Sequence, residues 1–127
     1  MSPARSLADF GGRHVLVVED EYLIADEVCH ELRQAGARVL GPVPNVRDAL
    51  DLIAATPGID AALLDVNLGG ETVYPVADAL RLLGVPFVLC TGYDAWALPA
   101  AYRNAPRVEK PVDLGAVGAA LFEAAGC

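Results

Sequence analysis

Four apolar runs in this chain each end on residues able to handle a phosphoryl group. Val15-Leu16-Val17-Val18 leads into Glu19-Asp20-Glu21, and Ala61-Ala62-Leu63-Leu64 leads into Asp65. Phe87-Val88-Leu89-Cys90 leads into Thr91, and Val108-Glu109 into Lys110-Pro111. A carboxylate can accept a phosphoryl group only if the negative charge of both partners is offset. A hard divalent cation with oxygen ligands does this, and Glu19, Asp20 and Asp65 can supply them. Magnesium keeps several waters, so two direct carboxylates from this set, the carbonyl of Asn67, two residues beyond Asp65, and a phosphoryl oxygen suffice; manganese or calcium is the alternative. Thr91 can hydrogen-bond one phosphoryl oxygen and Lys110 can pair with another as charge develops in the transition state. Pro111 biases the Lys110 backbone towards an extended conformation, which helps to aim that side chain.

Such a site needs the four runs to end side by side, as parallel strands do at the carboxyl edge of an open α/β sheet. The intervening segments fit that requirement. Ile24, Val28 and Leu32 mark one face of a helix from about residue 21 to 35, closed by Gly36. Residues 37–43 read as a second strand, and Asn45 offers a side-chain cap to a helix carrying Val46, Ala49, Leu50 and Ile53, stopped before Pro57-Gly58. Gly69-Gly70 turns the chain into a helix with Val73, Val76, Ala77, Leu80 and Leu83 inward, and Asp113 caps a last helix bearing Leu114, Val117 and Leu121. Uninterrupted apolar strands alternating with amphipathic helices predict a doubly wound (βα)5 parallel sheet, α/β in class, covered on both faces. Residues 93–102 should hold the fourth helix, but Pro99 forbids a full-length one; the sequence predicts a short or irregular helix starting near Leu98 with Pro99 at its first position. This segment is expected to be the least ordered.

Composition bounds the partners. The chain has 127 residues, the size of one domain, and 54% are hydrophobic, enough for a full core. A net charge of −8 repels nucleic-acid phosphates, so no nucleic-acid surface is expected. No apolar run approaches a membrane span, and residues 1–12 lack a signal-peptide core, so no membrane partner and a cytoplasmic location are expected. Cys29, Cys90 and Cys127 form neither a disulfide framework nor a zinc motif and read as buried or incidental thiols. His14 and His30 read as structural or surface residues. Trp96 and Tyr102 read as packing residues.

Glu19-Asp20, Asp65-Val66-Asn67, Thr91-Gly92 and Lys110-Pro111, in that order, resemble the receiver domain of two-component response regulators. The resemblance makes residues 13–127 a receiver domain after an N-terminal tail of residues 1–12. It implies a flavodoxin-like fold with strand order 2-1-3-4-5. Asp65 would be the phosphoacceptor for a histidine kinase, Glu19 and Asp20 metal ligands, Thr91 the switch hydroxyl and Lys110 the phosphoryl contact. Such a protein assists its own phosphorylation and dephosphorylation without being an enzyme in the usual sense. Pro86 to Tyr93 is similar to the FAT GUY variant of receivers, named for Phe-Ala-Thr-Gly-Tyr, although Leu89 and Cys90 stand where that signature has Phe and Ala. The variant is associated with HWE and related sensor histidine kinases and with single-domain regulators. Arg107 stands three residues before Lys110, where many receivers carry a switch aromatic. The coupled rotation of hydroxyl and ring is therefore not expected, and the loop around Tyr93 is the alternative carrier of the response.

Blander readings compete. Glu19-Asp20-Glu21 could be a helix-capping acid cluster. Asp65 resists such a reading, because a carboxylate ending an apolar strand beside other carboxylates is destabilised by repulsion. A phosphatase of the haloacid dehalogenase type uses the same groups, but with the acceptor first in the chain and a second Asp two residues on, where this chain has Asn67. A flavodoxin-like FMN module needs a Ser/Thr/Gly-rich phosphate loop where this chain has acids. A receiver that docks without phosphorylation uses the same sequence. A single helix is expected after Lys110, which points to contact with a downstream protein target, return of the phosphoryl group to a histidine phosphotransferase, or a phosphate sink.

Overall fold

The computed structural model describes residues 10–92 and 98–109 together with Val117. Its main sheet holds β1 (His14–Val18), β2 (Arg38–Val43), β3 (Ala61–Asp65), β6 (Phe87–Thr91) and β7 (Arg107–Glu109) in the order β2-β1-β3-β6-β7, with every pair parallel. This is the expected 2-1-3-4-5 arrangement of a flavodoxin-like doubly wound sheet, the numbering being displaced by a small hairpin of β4 (Asn67–Leu68) and β5 (Glu71–Thr72).

The central strands bury both faces, which is why they read as unbroken apolar runs. Leu16, Val18, Leu64 and Leu89 pack to one side with Ala49 and Ile53 of α2 (Val46–Ala55) and Val76, Ala77 and Leu80 of α3 (Tyr74–Leu82). Val15, Val17, Leu63 and Val88 pack to the other with Val28, Cys29 and Leu32 of α1 (Tyr22–Gln34). Val117, helical and buried, joins this second cluster, as the expected last helix requires; the rest of that helix lies outside the described residues.

The helix ends follow local chemistry. The Asn45 side chain accepts from the Asp48 amide at 2.8 Å, the cap the sequence predicts. Two expectations are corrected. Leu83 is not inward: α3 stops at Leu82, Leu83 is its C-cap, and it stands 62% exposed because helical periodicity no longer governs it. Pro99 is not a first helical residue. With ψ at 152° it precedes a three-residue 3-10 helix, Ala100–Tyr102, whose Tyr102 amide donates back to the Pro99 carbonyl at 2.9 Å. The fourth helical element among the described residues is thus short, as expected, but of a tighter kind. Residues 93–97, including Tyr93 and Trp96, lie outside the described residues.

Candidate functional site

Register brings the strand ends to one level. Val18 is paired with Leu64, so Glu19 and Asp65 follow at the same height. Asp65 is paired with Cys90, so Thr91 lies one step further along the neighbouring strand. On the other flank, the Glu19 amide donates to the Val43 carbonyl at 3.0 Å, extending the β1–β2 ladder to the first acid. Among the described residues the buried polar side chains are Glu19, Asp65 and Thr91, all three singled out by sequence. Burial of polar groups at one edge of an otherwise apolar sheet is costly and therefore informative.

Carboxylate oxygens of Glu19, Asp20 and Asp65 lie within 4.8 Å of one another. Glu19 and Asp65 are buried whereas Asp20 is more open to solvent. The capping alternative does not account for this group. Glu21 is the N-cap of α1 and makes no side-chain cap bond; instead its amide donates to Glu19 Oε2 at 3.1 Å. The Asn67 amide donates to Asp65 Oδ1 at 3.3 Å, which fixes the rotation of that carboxylate. Three oxygens from acids, two of them buried with like charges for neighbours, fit a hard divalent cation, whose charge would offset their repulsion.

Asp20 and Asp65 open onto a cavity of about 420 Å³ lined also by Glu21, Asn67, Gly69, Gly70, Thr91 and Gly92. The Gly69-Gly70 turn is a β-hairpin loop rather than a lead-in to a helix. Gly69 and Gly70 have φ of 61° and 103°, the left-handed values that a two-residue hairpin loop demands. Gly69 faces the acids closely: a Cβ there would sit 3.2 Å from Asp20 Oδ2. Gly69, Gly70 and Glu21 line the site without a role assigned to them from the sequence, although a Gly-Gly pair two residues after Asn67 was the available signal for the turn. Lys110 lies outside the described residues, one position beyond Glu109, which is paired with Thr91.

Of the other residues weighed, Cys29 and Cys90 are buried thiols outside any disulfide, as expected, and Cys127 is outside the described residues. Burial pushes the Cys29 thiol above its ordinary value, against a smaller downward pull from Arg33. His14 is a partly exposed structural residue whose Nδ1 lies 3.6 Å from Asp60 Oδ2, and His30 is exposed on α1. Tyr102 is a buried packing residue, also as expected.

No family model matches the chain. Comparison with known proteins nonetheless gives a consistent answer. SdrG from Sphingomonas melonis Fr1, known from a solution structure, is 37% identical with a TM-score of 0.77, covering 92% of this chain and 98% of SdrG. The BeF3-activated conformation of SdrG, reported from Pseudomonas melonis Fr1, is likewise 37% identical, with a TM-score of 0.73 over 94% of this chain and 98% of that one. A CheY-like response regulator receiver domain from Methylobacillus flagellatus is 25% identical, with a TM-score of 0.73 over 88% of this chain and 98% of its own length. The sensory transduction protein LytT of Bacillus subtilis is 33% identical over 104 residues, which are 78% of this chain but 42% of LytT. The chain therefore spans less than half of that curated relative. A doubly wound sheet with acids at the carboxyl ends of its strands, together with these likenesses, defines the class: the chain belongs to the response regulator receivers of two-component signalling. It is a signalling module by kinship, and among its described residues no helix is long and apolar enough to cross a membrane.

Proposed function

We propose that Asp65 accepts a phosphoryl group from a sensor histidine kinase, HWE-like or related, or from a histidine phosphotransferase, and that the phosphorylated chain signals by contact with a downstream protein in the cytoplasm. The observation that carries this reading is the burial of Glu19, Asp65 and Thr91 together at one sheet edge, beside an open cavity. A carboxylate oxygen of Asp65 bonds to phosphorus as the phosphorus–nitrogen bond of the donor phosphohistidine breaks, and the imidazole departs in line. The Asn67 amide holds the acceptor carboxylate in one orientation through this step. The Thr91 hydroxyl donates to one phosphoryl oxygen and the Lys110 ammonium pairs with another. Glu19, Asp20, Asp65 and the Asn67 carbonyl would hold a divalent cation, Mg2+ or in its place Mn2+ or Ca2+, which supplies neutralising charge to the transferring group. Residues 13–127 form the receiver domain on this reading, with 1–12 as a tail, and the partial FAT GUY resemblance favours kinases of the HWE type.

The test is transfer of radiolabelled phosphate from a panel of autophosphorylated histidine kinases and from a small phosphodonor. Label is expected on the parent chain, absent after Asp65→Asn and absent after chelation of divalent cations. Equal labelling of the Asp65→Asn variant would overturn the assignment. A parent that no donor labels would instead favour phosphorylation-independent docking.

A further inference from the structure

At the end of the sheet opposite the acids, the chain is basic and apolar. Arg81, in the last turn of α3, places its guanidinium 4.3 Å from the centre of the Tyr102 ring and 5.7 Å from that of Phe87. Tyr74, two turns earlier on α3, stacks on the same Tyr102 ring at 4.8 Å between centroids. An arginine seated on ring faces keeps the N–H donors in its own plane for a carboxylate, and its side chain is already ordered. Arg103 and Arg107 lie alongside: Arg103 follows Tyr102 directly, and Arg107 Nη1 donates to the Arg103 carbonyl at 3.4 Å. All three arginines are exposed, and none has a carboxylate partner among the described residues. They make up three of the nine basic residues in a chain whose net charge is −8.

Apolar surface adjoins this cluster. Leu82 and Leu83 are 89% and 62% exposed, adjacent to Arg81. A cleft of about 330 Å³ opens beside them between Arg81, Val85, Phe87 and Pro106. Exposed leucines next in the chain to Arg81 and Gly84, which line a concave site, mark a contact surface rather than scattered surface residues.

We infer that the end of α3 and the amino ends of β6 and β7 form a docking surface for a short acidic segment of a partner protein, with one large apolar side chain of that segment seated in the cleft. Charge complementarity decides the occupant. The arginines offer forked donors to carboxylates, while the net charge of the whole chain opposes adhesion to an anionic bilayer. A recessed cleft also suits a single anchoring side chain better than a flat membrane.

A random-sequence peptide library selected on the full chain at low salt tests this. Enriched peptides should pair Glu or Asp with a Leu, Phe or Trp. In fluorescence anisotropy their affinity should fall about tenfold or more with Arg81→Glu and with Leu82→Asp, and fall with added salt. Amide shifts on peptide addition should fall on residues 81–87 and 103–107. Circular dichroism checks the fold; Leu82→Asp, at a position that is largely exposed, decides if Arg81→Glu loosens the Tyr102 stack. Labelling of Asp65 should be unchanged in both variants. The proposal fails if no peptide enriches, if enriched peptides lack carboxylates, or if both substitutions leave affinity unaltered. It fails equally if anionic phosphatidylserine vesicles retain the chain, or if the surface proves to be a self-association face, shown by a sedimenting dimer that Leu82→Asp dissolves.

Discussion

The two ends of the same strands are built on opposite principles. At the carboxyl end, Glu19, Asp20 and Asp65 crowd like charges together with two of them buried, an arrangement that opposes folding. At the amino end, the His14 ring lies against Asp60, and the Arg81 guanidinium rests on the faces of Tyr102 and Phe87, so polar groups there are spread out and in part supported by aromatic packing. Between them the central strands are packed on both faces by apolar side chains. The difference teaches that neighbouring residues on one strand can have effects of opposite sign on the fold.

The sharpest break of that comparison lies between Leu64 and Asp65. Leu64 has no exposed surface, and Leu64→Ala should cost about 2–5 kcal/mol in urea unfolding through lost contacts and the cavity left behind. Asp65→Asn, one residue further, should raise stability by on the order of 1 kcal/mol in the absence of divalent cations, because repulsion is removed. A fall on the same scale as that of Leu64→Ala would mean that the carboxylate is structural. Next in size, Mg2+ at a hundredfold excess over its dissociation constant should stabilise the parent by about 2.7 kcal/mol and should do so far less in Asp20→Asn, as read by thermal melts. At the opposite end, Arg81→Ala should cost about 0.5–2 kcal/mol through the lost ring contacts, with no dependence on divalent cations.

The smallest effect concerns pH. Burial raises the Cys29 thiol above its ordinary value of 9.0, so the folded state holds that proton more tightly than the unfolded state does. Its contribution is fully present below pH 9.0 and is lost as the pH rises through the folded value. A Cys29→Ala variant should therefore show a shallower loss of stability in alkaline titrations above that point.

Much of this was legible in the sequence because burial on both faces leaves no ambiguity. The apolar runs before Glu19, Asp65 and Thr91 are strands that end at or just before these polar residues, and the parallel sheet and its polar edge follow from that pattern, whereas the strand order came from the receiver resemblance. Asn45 was readable as a cap because its chemistry is local. The hairpin of β4 and β5 was not, since two-residue strands are too short to show a period. Leu83 misled because the period that places Leu80 inward holds only while the helix lasts, and it ends at Leu82. The stack of Tyr74, Tyr102 and Arg81 joins elements separated by a strand and a loop, a relation that no local spacing encodes.

Gly41 offers a consequence for genetics. In the β1–β2 ladder, Leu16 pairs with Leu40 but Val18 pairs with Val43, so β2 carries one residue more than its neighbour across this stretch. Gly41 sits in the excess with φ at 99°, and a Cβ there would stand 2.8 Å from the Val17 carbonyl oxygen and 2.9 Å from the Val43 nitrogen. Any side chain must push β2 away from the strand whose next residue, Glu19, donates its amide to Val43. A screen for signalling-defective alleles should thus recover substitutions at Gly41, an uncharged codon remote from the acids in sequence, alongside those at Asp65. The two classes would separate by protein abundance: the Gly41 alleles deplete the folded protein, whereas Asp65→Asn leaves it plentiful and silent.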